Sequence, residues 1–104
     1  MRRQDRTELT VPVQVMWTDR QGQERFTTGQ SLDISEWGMR MQIQDPLPER
    51  IYVRLRADRI KLNGSASVRS CQKKGTKYLV GLEFSGGMTW KLPGDVKAGV
   101  SASR

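Results

Sequence analysis

The sequence predicts an all-β fold, a small six-stranded antiparallel barrel, from three observations. Apolar residues recur at every second position in one run after another. Turn-forming residues interrupt those runs at short intervals. No stretch before residue 86 carries a helical period. Six short strands joined by tight turns favour closure, because a closed barrel leaves no unpaired edge. At 104 residues the chain is one domain, large enough to bury a core without a metal or disulfide.

The elements follow in order. Residues 1–8 are charged and aperiodic and read as an arm. Leu9, Val11, Val13, Val15 and Trp17 fall on one phase of a first strand; Pro12, on the other phase, marks an edge or bulge. Residues 18–23 form a turn, and residues 25–32 a second strand with Gly29 read as a bulge. Residues 33–38 are a loop or strand irregularity. Met39, Met41 and Ile43 set the phase of a third strand, and residues 45–49 turn the chain. Ile51, Val53, Leu55 and Ala57 define a fourth strand; residues 60–72 are extended, with Asn63-Gly64 as a kink or tight turn. Residues 73–76 turn into a last strand carrying Tyr78, Val80, Leu82 and Phe84. Met88, Trp90 and Leu92 are spaced for one helical turn before Pro93, with Trp90 packing across a barrel end. Residues 93–104 read as a disordered tail, so the barrel domain is 9–92, followed by a short or absent C-terminal helix.

Composition narrows the function. Eighteen Lys and Arg against eleven acids give net charge +7, which calls for an anionic partner: nucleotide, nucleic acid or acidic membrane. With no histidine and one cysteine, His-dependent triads and the usual zinc sites are excluded. Cys71, in an alternating stretch, reads as a small buried or half-buried residue. No apolar run approaches a spanning helix and no signal peptide opens the chain, so a cytoplasmic location is expected.

Two motifs carry chemistry. Arg2, Arg3 and Arg6 read R-R-x-x-R: three planar guanidiniums suited to phosphate oxygens or the O6/N7 edge of guanine. Asp33, Ser35 and Gly38 read D-x-S-x-x-G: a carboxylate and hydroxyl able to take guanine N–H groups, and a glycine permitting close approach. Asp33 is expected at the surface. The same six residues also suit an Asx or Ser/Thr turn with glycine at positive φ. Trp37, inside the second motif, reads first as packing at the barrel mouth and second as a stacking surface for a base. Arg40 is a further candidate; with Arg54, Arg56 and Arg69 it otherwise belongs to a solvated face.

In order and spacing these motifs resemble the PilZ domain family, bacterial receptor modules for cyclic di-GMP. Arg2-x-x-x-Arg6, with Arg3 as an additional arginine, resembles the family's N-terminal loop, and Asp33, Ser35 and Gly38 its strand motif. Gly81-Leu-Glu-Phe84 resembles its late strand, and the likeness runs over about residues 2–86. The resemblance implies a six-stranded barrel, often followed by a helix, which the Gly- and Pro-broken tail does not favour here. It implies a non-catalytic receptor with no cofactor. Arg2, Arg3 and Arg6 would grip phosphates and guanine edges, and Asp33 and Ser35 the guanine N1 and N2 groups or the ligand backbone. An arm mobile without ligand would fold over the barrel on binding and signal to a protein partner or attached domain. The alternatives are an OB-like single-stranded nucleic-acid binder using Trp37 and Tyr52, which a chain with 7% aromatic residues does not favour, and a degenerate family member acting only as an interaction module.

Overall fold

The computed structural model describes residues 6–86 and 88–92. Arg2 and Arg3, most of the expected arm, and the expected tail at 93–104 lie outside them. The elements are β1 (Thr7–Glu8), β2 (Pro12–Thr18), β3 (Glu24–Ile34), β4 (Gly38–Ile43), β5 (Tyr52–Ala57), a 3₁₀ turn (Asp58–Ile60), β6 (Leu62–Lys74) and β7 (Lys77–Ser85). Each strand pairs antiparallel with its neighbours in the order β3-β2-β5-β6-β7-β4, and β3–β4 pairing closes the ring. The expected six-stranded barrel is therefore present, with β1 added on β3 through Thr7↔Ile34 and Glu8↔Asp33.

The period-two phases predict the core. Val13, Val15, Met39, Met41, Leu55 and Val80 are fully buried, and Gln14, Arg40, Gln42, Arg54 and Arg56, which alternate with them, face outward; Val68, in the extended stretch for which the sequence gives no phase, is buried with them. Leu9 and Val11 are buried as expected although β2 begins only at Pro12. Ser31 holds that lead-in: its hydroxyl accepts from the Val11 N–H at 3.0 Å and donates to the Leu9 carbonyl. Pro12, as the first residue of its strand, occupies a position where a missing N–H is tolerated.

Three local expectations are corrected. Gly29 is not a bulge; it pairs in register with Val13, and an added Cβ would lie 2.2 Å from the Gln42 carbonyl oxygen. Glycine is there because β4 passes too close for a side chain. The bulge falls instead between Ser31 and Asp33. Asn63-Gly64 neither kinks nor turns the chain, because β6 runs straight through it; Gly64 leaves room for Met88, whose Sδ would be 2.7 Å from an added Cβ. The turn lies earlier, at the 3₁₀ segment, where Lys61 adopts φ 53° and Ile60 is wholly buried. Residues 88–92 make no helical turn. Met88, Trp90 and Leu92 pack on the core on alternate positions, and the Lys91 N–H donates to the Ile60 carbonyl at 2.7 Å. Trp90 thus packs against the barrel, as expected, from an extended segment.

Candidate functional site

The β3 bulge decides where Asp33 points. Gly29 and Ser31 face the interior, and an unbroken alternation would send Asp33 there too. The extra residue reverses the phase. Ile34 drops into the core at 0% exposure, and Asp33 turns outward opposite Arg40 on β4. Asp33 therefore lies on a strand rather than in a loop.

Asp33 is buried nevertheless, at 5% exposure, contrary to the expectation of a surface carboxylate. Two guanidiniums cover it. Arg6 Nη1 donates to Oδ1 at 2.7 Å, and Arg40 donates to Oδ2 through Nε at 2.9 Å and through Nη2. Burial pushes the Asp33 carboxyl up, but the hydrogen bonds and charge of Arg40, with those of Arg6, outweigh it, and its pKa lies below the ordinary 3.8. Hydrogen bonding to Asp33, followed by its charge, raises the Arg40 pKa in turn. Each arginine keeps unused N–H donors, and their side chains are 41% and 51% exposed.

The donor and acceptor halves of the two motifs thus meet each other. The Arg6–Asp33 contact joins the N-terminal motif to the strand motif and, with β1, fastens residues 6–8 to β3. This corrects the reading of an unanchored arm for those three residues.

Ser35 is 1% exposed and its hydroxyl is engaged in the turn. It accepts from the Trp37 N–H at 3.2 Å and faces the Gly38 carbonyl at 3.4 Å, while the Ser35 N–H donates to that carbonyl at 2.8 Å. The Ser/Thr-turn reading of the motif holds, but not with glycine at positive φ: Gly38 is not among the positive-φ glycines. An added Cβ there would lie 2.1 Å from the Leu82 carbonyl oxygen, so Gly38 allows close approach of β7.

Trp37 does not pack at the barrel mouth. The 35–38 turn holds its side chain 62% exposed, beside an open depression of about 350 Å³ that Arg6, Arg40 and Arg69 also line. The composition of this depression suits a ligand with anionic groups and a planar ring: guanidiniums held by a carboxylate, next to a free indole. A larger hollow of about 510 Å³ lies elsewhere, on β2, β3 and β5. Arg40 was readable from sequence as the mirror image of Asp33 about the 35–38 turn, since hairpin residues equidistant from a turn face each other.

The PilZ domain family model matches residues 1–89 of the chain. No curated protein matches it. A solved structure, the Bacillus subtilis inhibitor of motility (MotI/DgrA), is similar with a TM-score of 0.60 and 24% identity, over 85% of this chain and 43% of that one. The chain spans less than half the length of that protein, and at this identity the likeness shows the fold alone.

Proposed function

The chain belongs to the PilZ domain family, a family of cyclic di-GMP-binding modules, and on that premise we propose that it is a non-catalytic receptor for cyclic di-GMP. The observation that carries this reading is the Arg6–Asp33–Arg40 cluster beside exposed Trp37. Arg2 precedes Arg6 by four residues, so an extended chain puts its Cα within about 14 Å of that of Arg6. Arg2 and Arg3 are therefore within reach of the same depression. In the proposed complex, Arg2, Arg3 and Arg6 hold phosphates and guanine edges, and Arg40 adds a fourth guanidinium. Arg6 leaves Asp33 for a phosphate, and the freed Oδ1 accepts a guanine N–H. Trp37 offers a face for a base. Ser35 and Gly38 act by shaping the turn that presents it.

Signalling follows as an ordering step. With residues 6–8 already fastened to β3, the ligand gathers the part of the arm that precedes Arg6 over the barrel and creates a surface for a partner or attached domain. The proposed site of action is the cytoplasm; among the described residues no helix is long and apolar enough to cross a membrane.

Calorimetric titration tests the reading. Cyclic di-GMP is expected to bind at micromolar affinity or better, with GMP and cyclic di-AMP much weaker. Arg6→Ala should weaken binding by about 2 kcal/mol, because a charged acceptor loses its partner. Undiminished binding by the Arg2/Arg3/Arg6 triple alanine variant, or equal affinity for cyclic di-AMP, would refute it.

A further inference from the structure

Three large hydrophobic side chains are exposed among the described residues: Phe26 at 80%, Tyr52 at 72% and Trp37 at 62%. They are not scattered. Phe26 and Tyr52 line the 510 Å³ hollow with Arg25 and Arg54. Tyr52 also lines an adjoining hollow of about 480 Å³ with Arg50 and Arg69. Arg69 lines the depression that holds Trp37, Arg6 and Arg40. Shared lining residues join the three hollows into one track.

Strand register gives its course. Phe26, Met16 and Arg54 stand in a row across β3, β2 and β5. Two residues along β5, Tyr52 begins a second row through Ser67 and Glu83 to Gly38, next to Trp37. At strand spacings of about 4.8 Å the track runs roughly 30 Å over the outer face of the barrel. Aromatic rings alternate along it with guanidiniums. Three acids also line it, Glu24, Glu49 and Glu83, and Glu83 is held by Arg69 at 3.3 Å.

We infer that this track is a binding surface for single-stranded nucleic acid. Bases stack on the rings and phosphates meet the arginines between them, a division of labour that tolerates any sequence. The net charge of +7 supplies the complementary field. A protein partner is the weaker fit, because interface hot spots gather round one desolvated centre, whereas these rings are strung along a path with a cation between each. Duplex DNA is weaker still, since its bases are already stacked and a ring on a convex sheet face has none to receive. The inference does not rest on the cyclic di-GMP reading; only the Trp37 end of the track overlaps that site.

Fluorescence anisotropy with labelled oligo-dT of 4, 8 and 12 nucleotides, and a 12-base-pair duplex, provides the test. Affinity should rise with length up to about 4–8 nucleotides and then level off, in the range of small barrel sites. It should fall at least tenfold between about 50 and 200 mM salt. The Phe26→Ala/Tyr52→Ala variant should bind at least tenfold more weakly, keep the wild-type circular dichroism spectrum, and titrate cyclic di-GMP as the wild type does. Undetectable binding of the 12-mer at about 50 mM salt, a preference for the duplex, or unchanged affinity in the double variant would overturn the proposal; the last would mark simple adhesion to a basic surface.

Discussion

Replacing Asp33 by alanine removes the carboxylate on which two guanidiniums rest. Three charge-assisted hydrogen bonds disappear, each worth about 1.5–3 kcal/mol when both partners are dry. They are not dry here. The Arg6 and Arg40 side chains are 41% and 51% exposed, so water takes up the freed donors and screens the repulsion between them. The expected loss is therefore about 1–2 kcal/mol, a sizeable part of a stability of about 5–15 kcal/mol. For a domain of this size that is a fall in Tm of about 5–10 °C.

Thermal melts followed by circular dichroism would measure it, and pH identifies its origin. The folded-state pKa of Asp33 lies below its ordinary value of 3.8. Its ionisation therefore stabilises the fold fully above that value, and the contribution is lost as pH falls through the lower, folded-state pKa. The gap between wild type and Asp33→Ala should be widest near neutral pH and should shrink below 3.8. Equal melting temperatures at neutral pH would refute the bridging role. A gap that stayed constant down to about pH 2.5 would assign the loss to packing rather than charge.

Gly38→Ala should destabilise the barrel by about 2–3 kcal/mol with or without ligand, because its Cβ would lie 2.1 Å from the Leu82 carbonyl oxygen; a denaturant midpoint equal to wild type would return Gly38 to a purely ligand-facing role. Ser31→Ala should cost about 1–3 kcal/mol, since it leaves the Leu9 carbonyl and the Val11 N–H, both now bound to one hydroxyl, without that partner. Amide exchange at Val11 should accelerate in that variant, and an unchanged rate would show that the lead-in to β2 is held by other means.

The barrel was legible because its signal is a phase. A period of two, repeated from Val13 to Leu82, needs only the residue types to say which face is wet. What sequence left open were close approaches, which depend on what lies across the gap. Gly29, Gly38 and Gly64 look alike as letters. Contact with Gln42, Leu82 and Met88 separates them, and those contacts exist only once β4, β7 and the C-terminal segment are in place. The bulge is hidden from the sequence for the same reason: a glycine advertises one, but register across β3–β4 sets it at Ser31/Asp33. The exposure of Trp37 is likewise not legible, because an aromatic beside a buried strand usually packs. Here the neighbouring Ser35 hydroxyl and Gly38 carbonyl hold the turn closed without it.

The D-x-S-x-x-G motif divides by task once the hairpin is seen. Ser35 and Gly38 build the turn, which any β3–β4 connection of this shape requires, whatever it binds. Asp33 is the hinge between tasks: buried by its partners, yet joined to Arg6 from the other motif and to Arg40 across the strand. In the proposed function, the ligand-binding part of the motif thus sits in which cations reach that carboxylate. With Arg6 already on it and β1 already paired to β3, residues 6–8 are docked before any ligand arrives. The proposed switch is narrowed accordingly, to the exchange of Arg6 between Asp33 and a phosphate and to the placing of Arg2 and Arg3. An effector acting this way needs a ligand anion able to outcompete a carboxylate for a guanidinium. A phosphodiester does so best when a guanine N–H takes the vacated oxygen, which ties phosphate capture to recognition of the base.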